Sequence, residues 1–167
     1  MPDHTLVNRE DVDDEVFRTI GQFIYSFSQL ELAIRLRLSD ALSLPEPLFE
    51  VVIGPYDFAT LCNVVKEVLL RSRADLNAEK IKKLFNRCHA LNQKARIIVA
   101  HGTWFPEGGG ATHMSRSSFK SSSHFEDPED LRAQITEAKN LMWHVAASTG
   151  WKYDLQMIAP GVTLPPL

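Results

Sequence analysis

The stretch DVDDEVFRTIGQFIYSFSQLELAIRLRLSDAL, Asp11 to Leu42, decides the fold. Val12, Val16, Ile20, Phe23, Phe27, Leu30, Ile34, Leu38 and Leu42 recur at spacings of three and four, which lays them along one side of an α-helix. For so long a helix, Gly21 is where a bend is expected. Pro45-Glu46-Pro47 is expected to stop it, because proline has no backbone N–H to give to a helix.

Working outward, Val51-Val52-Ile53-Gly54-Pro55 reads as a connector to a second helix, about Asp57 to Arg73, with Phe58, Leu61, Cys62, Val65, Val68 and Leu69 on its apolar face. Asn77 is a good N-cap for a third helix, since its side chain accepts from the free N–H groups of a first turn. That helix carries Ile81, Leu84, Phe85, Cys88, Leu91, Ala95, Ile98 and Val99 on one side, and Gly102 is expected to close it in a left-handed cap. Residues Thr103 to Glu126 differ in kind: Gly108-Gly109-Gly110 reads as a turn, and 115–123 is rich in serine. A β-hairpin after Trp104-Phe105 and a loop are both open readings there. A fourth helix opens at Asp127-Pro128-Glu129-Asp130, with a cap, a proline in the first turn and acids at the positive helix end. Its stripe is Leu131, Ile135, Ala138, Met142 and Val145, Gly150 ends it, and the tail 151–167 reads as extended. Amphipathic helices on short connectors make an all-α bundle of four to five helices, with a loop or short β-hairpin inserted between the third and fourth.

Length and composition agree with one domain. The chain has 167 residues, 44% apolar and 23% charged, enough to bury a core and too apolar for wholesale disorder. No apolar run reaches a membrane span, and Met1-Pro2-Asp3-His4 does not open a signal peptide, so a cytoplasmic location is expected. Cys62 and Cys88 make neither a disulfide framework nor a zinc knuckle. A net charge of −3 speaks against coating nucleic acid by bulk electrostatics. Charge is uneven, however. Acid gathers at Glu10, Asp11, Asp13, Asp14 and Glu15, whereas Lys80, Lys82, Lys83, Arg87, Lys94 and Arg96 make the third helix basic, with no acid between Lys80 and His101. A solvated helix face and a phosphate-contacting surface both fit that pattern.

The residues able to do chemistry lie at the end of this helix, in Asn92-Gln93-Lys94-Ala95-Arg96-Ile97-Ile98-Val99-Ala100-His101-Gly102-Thr103-Trp104. A histidine in a last turn faces the negative end of the helix dipole, which suits a general acid or a phosphate contact. Arg96 offers a flat, permanently charged fork that matches a phosphate or a carboxylate. Together they suit phosphodiester cleavage, the imidazole moving protons and the guanidinium steadying charge on phosphorus. Five residues at about 100° each set the two side chains roughly 140° apart around the axis. They share a cleft only if the helix unwinds near Ala100–Gly102 or if a second subunit completes the site. Plainer readings stand beside this one: His101 bonding the last free carbonyls, Arg96 paired with Glu31, and Glu31 paired with Arg35 within the first helix. Asn92, one α-turn before Arg96, either lines the cleft or is a solvated polar position. Cys88 and His89 point about 100° apart on a helix, which leaves Cys88 to core packing. His113 and His124 lack metal-ligand spacing, and the triple glycine lacks the lysine and hydroxyl of a phosphate loop, so neither metal nor cofactor is expected. Trp104, Trp143 and Trp151 read as core or interface aromatics.

Arg96-x-x-x-x-His101-Gly102-x-Trp104 at the end of a bundle helix resembles the mark of the HEPN superfamily (higher eukaryotes and prokaryotes nucleotide-binding). Phe27-Ser28-Gln29-Leu30-Glu31-Leu32-Ala33-Ile34 is similar to the first helix of its bacterial members. The resemblance implies a single helical domain over 1–167 with its core at about 11–150, and a homodimer whose two motifs meet at the interface. It further implies RNA as ligand, with metal-independent endoribonuclease activity of the toxin or defence type, and an antitoxin or nucleotidyltransferase as partner. Arg96 and His101 would then be the active pair, with Asn92, Glu31, Lys94 and Trp104 around the cleft. After the arginine, active members commonly carry a polar residue, and this chain carries Ile97. The alternative is a non-enzymatic helical interaction or nucleotide-binding accessory module.

Overall fold

The computed structural model describes residues 9–105, 110–115 and 120–148. Gly150, the tail 151–167 and parts of the glycine and serine runs lie outside the described residues. Helix α1 is Arg9–Ala41 and runs unbroken through Gly21. Phe23, Phe27, Leu30, Ile34 and Leu38 are buried along one stripe, as their spacing requires. Leu42, expected on that stripe, is exposed instead, because the helix has already ended. The stop comes before the prolines: Ser43 takes φ 52°, a left-handed residue that turns the chain out. Pro45 then leads into a 3-10 turn, Glu46–Leu48, and a short helix α2, Phe49–Ile53, where the sequence suggested only a connector.

Asp57 caps α3, Phe58–Ser72, by accepting from the Thr60 N–H at 2.7 Å. Asn77 caps α4, Ala78–Leu91, accepting from the Lys80 N–H at 3.0 Å. Beyond α4 come a wide π turn, Asn92–Arg96, and a last helical turn α5, Ile97–His101. Three short strands follow: β1 Thr103–Trp104, β2 Ala111–Met114 and β3 Ser121–His124. They form an antiparallel sheet in the order β1-β2-β3, with Trp104 opposite Ala111 and Ala111 opposite His124. The insertion is thus more than a hairpin, and part of the serine run is its edge strand. Helix α6, Pro128–Ser148, completes the bundle; the Asp127 carboxylate accepts from the Glu129 N–H at 2.9 Å.

Helix α1 lies between α6 and α3, and α4 packs against those same two, so α1 and α4 stand diagonally across the core. Phe23, Leu30, Leu61, Leu69, Leu84, Phe85 and Leu141 fill the space between, each contributing about 1.5–3 kcal/mol when fully buried. Arg87 ties α4 to α6 through a two-pronged bond to Glu137, 2.9 and 2.7 Å, with both side chains half-buried. Cys62 and Cys88 are buried free thiols. The hydrogen bond to Cys62, together with burial, holds the Cys88 thiol well above its usual range, so it is a core group and not a nucleophile. Among the described residues no helix is long and apolar enough to cross a membrane.

His89 links α4 to α3, its Nε2 3.0 Å from Asn63 Oδ1. Burial first, and Lys66 second, hold its imidazole below the ordinary pKa. The unfolded chain therefore takes up a proton near pH 6.5 that the folded chain resists. This contribution to stability is present above about pH 6.5 and is lost as pH falls through the lower folded-state value. His89→Gln, which keeps a donor for Asn63, is expected to flatten the fall in thermal midpoint from about pH 7 to pH 5. An unchanged slope would remove His89 as its source.

Candidate functional site

The π turn is built by backbone bonds of unusual span. The Asn92 N–H is shared between the carbonyls of Cys88 and His89, and the Ile97 N–H reaches back five residues to the Asn92 carbonyl. The residue hydrogen-bonded back to the Asn92 carbonyl is thus Ile97, and Arg96 and Ile97 flank the line above Asn92. Asn92 is 8% exposed, and its amide finds no partner among the described residues. Single π turns of this kind occur often at functional sites.

From Ile97 to His101 the backbone is ordinary α-helix, and the Gly102 N–H closes it on the Ile98 carbonyl at 2.7 Å. Gly102 itself is extended, φ −75° and ψ 154°, not the left-handed cap expected. Its glycine is demanded by space. A Cβ there would lie 2.6 Å from the Ile98 carbonyl oxygen and 3.2 Å from the Ala111 side chain, because the chain must pass directly from α5 into β1.

Arg96 is half-buried, whereas Lys94 and His101 are exposed. Neither Arg96 nor His101 makes a hydrogen bond or ion pair with any other described residue, so His101 does not bond the last carbonyls. Elsewhere along this helix Lys82 pairs with Glu79 and Arg87 with Glu137, while the exposed Lys80 has no ion pair among the described residues. Lys94, Arg96 and His101 make an end of this helix with no acid partner among the described residues. Because the helix does not unwind at Ala100–Gly102, Arg96 and His101 stay roughly 140° apart and about 7.5 Å along the axis. One copy does not bring them to one phosphate.

Glu31 does not join them. Its carboxylate holds Arg35 at 2.6 Å, and the same guanidinium donates to the Ile53 and Tyr56 carbonyls at 2.7 and 2.9 Å. The pairing of Arg96 with Glu31 is thereby overturned: the end of α2 and the turn after it place two carbonyls beside Arg35, which holds Glu31 there. Trp104 is likewise engaged. Its ring stacks on Phe125 with centroids 5.9 Å apart and a 4° tilt, and its Nε1 donates to the Val99 carbonyl at 3.4 Å. Strand alternation turns the next residue, Phe105, outward to 52% exposure. Sequence reasoning passed over Phe105, although that alternation was its signal. Among the described residues no three His, Cys, Asp or Glu side chains gather as a metal site. Set against family models, curated proteins and solved structures, the chain finds no match.

Proposed function

We propose that this chain binds RNA at the end of α4 and cleaves it without a metal ion, with Arg96 and His101 supplied to one phosphate by two copies of the chain. The carrying observation is the intact helical turn between them: both groups lack partners among the described residues, and both are held on different sides of one rigid turn. A two-fold axis beside α5 sets Arg96 of one copy against His101 of the other. The 2′-hydroxyl attacks phosphorus, and the bond from phosphorus to the 5′ oxygen breaks. The His101 imidazole takes the proton from the 2′-hydroxyl and gives it on to the departing 5′ oxygen. Arg96 holds the phosphoryl oxygens on which charge builds. The products are a 2′,3′-cyclic phosphate and a 5′-hydroxyl. An antitoxin or nucleotidyltransferase covering this helix end would silence it.

Mixed RNA incubated with the purified chain in EDTA tests the proposal. Fragments bearing cyclic phosphate ends are the expected result; RNA left whole overturns cleavage. Phe105, an exposed aromatic four residues past His101, is suited to stack a base. Phe105→Ala is expected to weaken RNA binding by about 1–3 kcal/mol, read by fluorescence anisotropy. Binding as tight as the parent's would exclude that stacking.

A second reading is a non-enzymatic RNA- or nucleotide-binding module, and Ile97 favours it. Half-buried and apolar, it stands where active HEPN members commonly carry a polar residue. RNA bound but left whole in the same assay is the signature of that reading.

A further inference from the structure

The outward face of α1 is unlike the surface of a solvated helix. From Gly21 to Ser39 its exposed residues are Gly21, Gln22, Ile24, Tyr25, Ser28, Leu32 and Leu36, none of them charged. Glu31 and Arg35, within the same span, are half-buried and paired with each other, and Arg37 is buried. About 27 Å of helix thus faces water with aliphatic and aromatic side chains and no exposed charge.

Two details indicate what covers it. Gly21 is exposed in mid-helix, and a Cβ there would meet nothing within 4 Å. Glycine in such a place costs about 1 kcal/mol relative to alanine, and nothing among the described residues requires it. It leaves a gap in the face that a large side chain of a covering partner can fill. Ser28 is the second small residue of the face, and its hydroxyl is already satisfied by the Tyr25 carbonyl at 2.8 Å, so covering it strands no polar group. At the far end of the face, Leu36, Ser39, Leu44, Phe49 and Val51 line an open groove of about 570 Å³. At the near end Phe17 stands out, 62% exposed.

We infer that this face docks against the same face of a second copy, antiparallel, about a two-fold axis beside Ser28. That register sets Ile24 and Tyr25 of one copy against Leu32 of the other, Gly21 against Leu36, and Phe17 against Ser39 at the mouth of the groove. Each large side chain then meets a small residue, a gap or another apolar group. Arg18, exposed beside Phe17, comes to the end of the partner where Glu46 and Glu50 rim the groove. One axis produces all these matches at once, which identifies the occupant as a second copy. A crossing near 20° keeps two such helices in contact along the stripe. Since α1 stands diagonally across the bundle from α4, this contact is separate from the Arg96–His101 surface, and each can fail without the other.

Ser28→Cys in the full chain tests the axis directly, because Cys62 and Cys88 are buried in the core. With oxidised glutathione the variant is expected to form a covalent dimer at least tenfold faster than Ala90→Cys, an exposed position on α4. Equal rates for the two variants would overturn the proposal. Tyr25→Glu with Leu32→Glu is expected to halve the mass measured by sedimentation, with the helical circular dichroism kept. A parent chain that sediments as a monomer, or a folded variant with the parent's mass, would equally overturn it. None of these readouts involves RNA.

Discussion

Alanine in place of His101 is expected to lower the rate of RNA cleavage by about 10²- to 10⁴-fold, the usual loss when a positioned acid or base is removed. Because His101 is exposed and bonds to nothing else described, the variant is expected to keep its stability within about 0.5 kcal/mol. Arg96→Ala is expected to lose about 10²–10³-fold, as when one donor to a developing oxyanion is removed. The two variants also test where the pair is assembled. If Arg96 and His101 act across a two-fold axis, half of the randomly mixed dimers hold one intact site, and activity recovers to about a quarter of the parent's. If both act within one chain, mixing restores nothing. Equal cleavage by parent and both variants would leave the proposed chemistry without its groups.

The second large effect lies in the core. Phe85, on α4 and fully buried, faces the centre of the bundle between α3 and α6. Phe85→Ala removes most of a ring from a packed interior, and the residual cavity adds to the lost transfer energy, for about 3–5 kcal/mol. Against a total stability of about 5–15 kcal/mol, that is about a fifth or more. For a domain of this size each kcal/mol moves the thermal midpoint by about 2–4 °C, so a fall of about 6–20 °C is expected. Urea unfolding of parent and variant measures it, and a loss below about 1 kcal/mol would contradict the packing described. Cleavage measured well below the lowered midpoint is expected to persist, since Phe85 touches neither Arg96 nor His101 in the proposed chemistry.

Much of this was legible residue by residue. The three-and-four spacing from Phe23 to Leu38 marked the buried side of α1, and Asn77 and Asp127-Pro128 marked the starts of α4 and α6. These are short-range signals: a cap accepts from an N–H three residues on, and an apolar stripe needs only its own helix to be recognised. Other features had no such mark. The π turn at Asn92–Arg96 depends on how the α4 end seats Asn92 and Ala95 in the core while α5 turns into the sheet. Nothing in Asn92-Gln93-Lys94-Ala95-Arg96 distinguishes that from an α-turn. The same holds for Phe17, Ile24, Tyr25, Leu32 and Leu36. As letters they are more apolar residues in an apolar helix, and they become a surface only once α6 and α3 have taken the other side.

By itself, then, the chain's order of residues determined which segments are helical, where most of them begin, which stripes are buried, and that Arg96 and His101 lie at one helix end. Tertiary structure alone decided that Arg35 also bonds the Ile53 and Tyr56 carbonyls, that Trp104 belongs to Phe125, and that Arg96 and His101 have no partners among the described residues. The physical reason is range. Helix formation and capping are settled by groups within a turn or so of one another, whereas the partner of a charge or a ring is whichever group the packed fold carries to within a few ångströms.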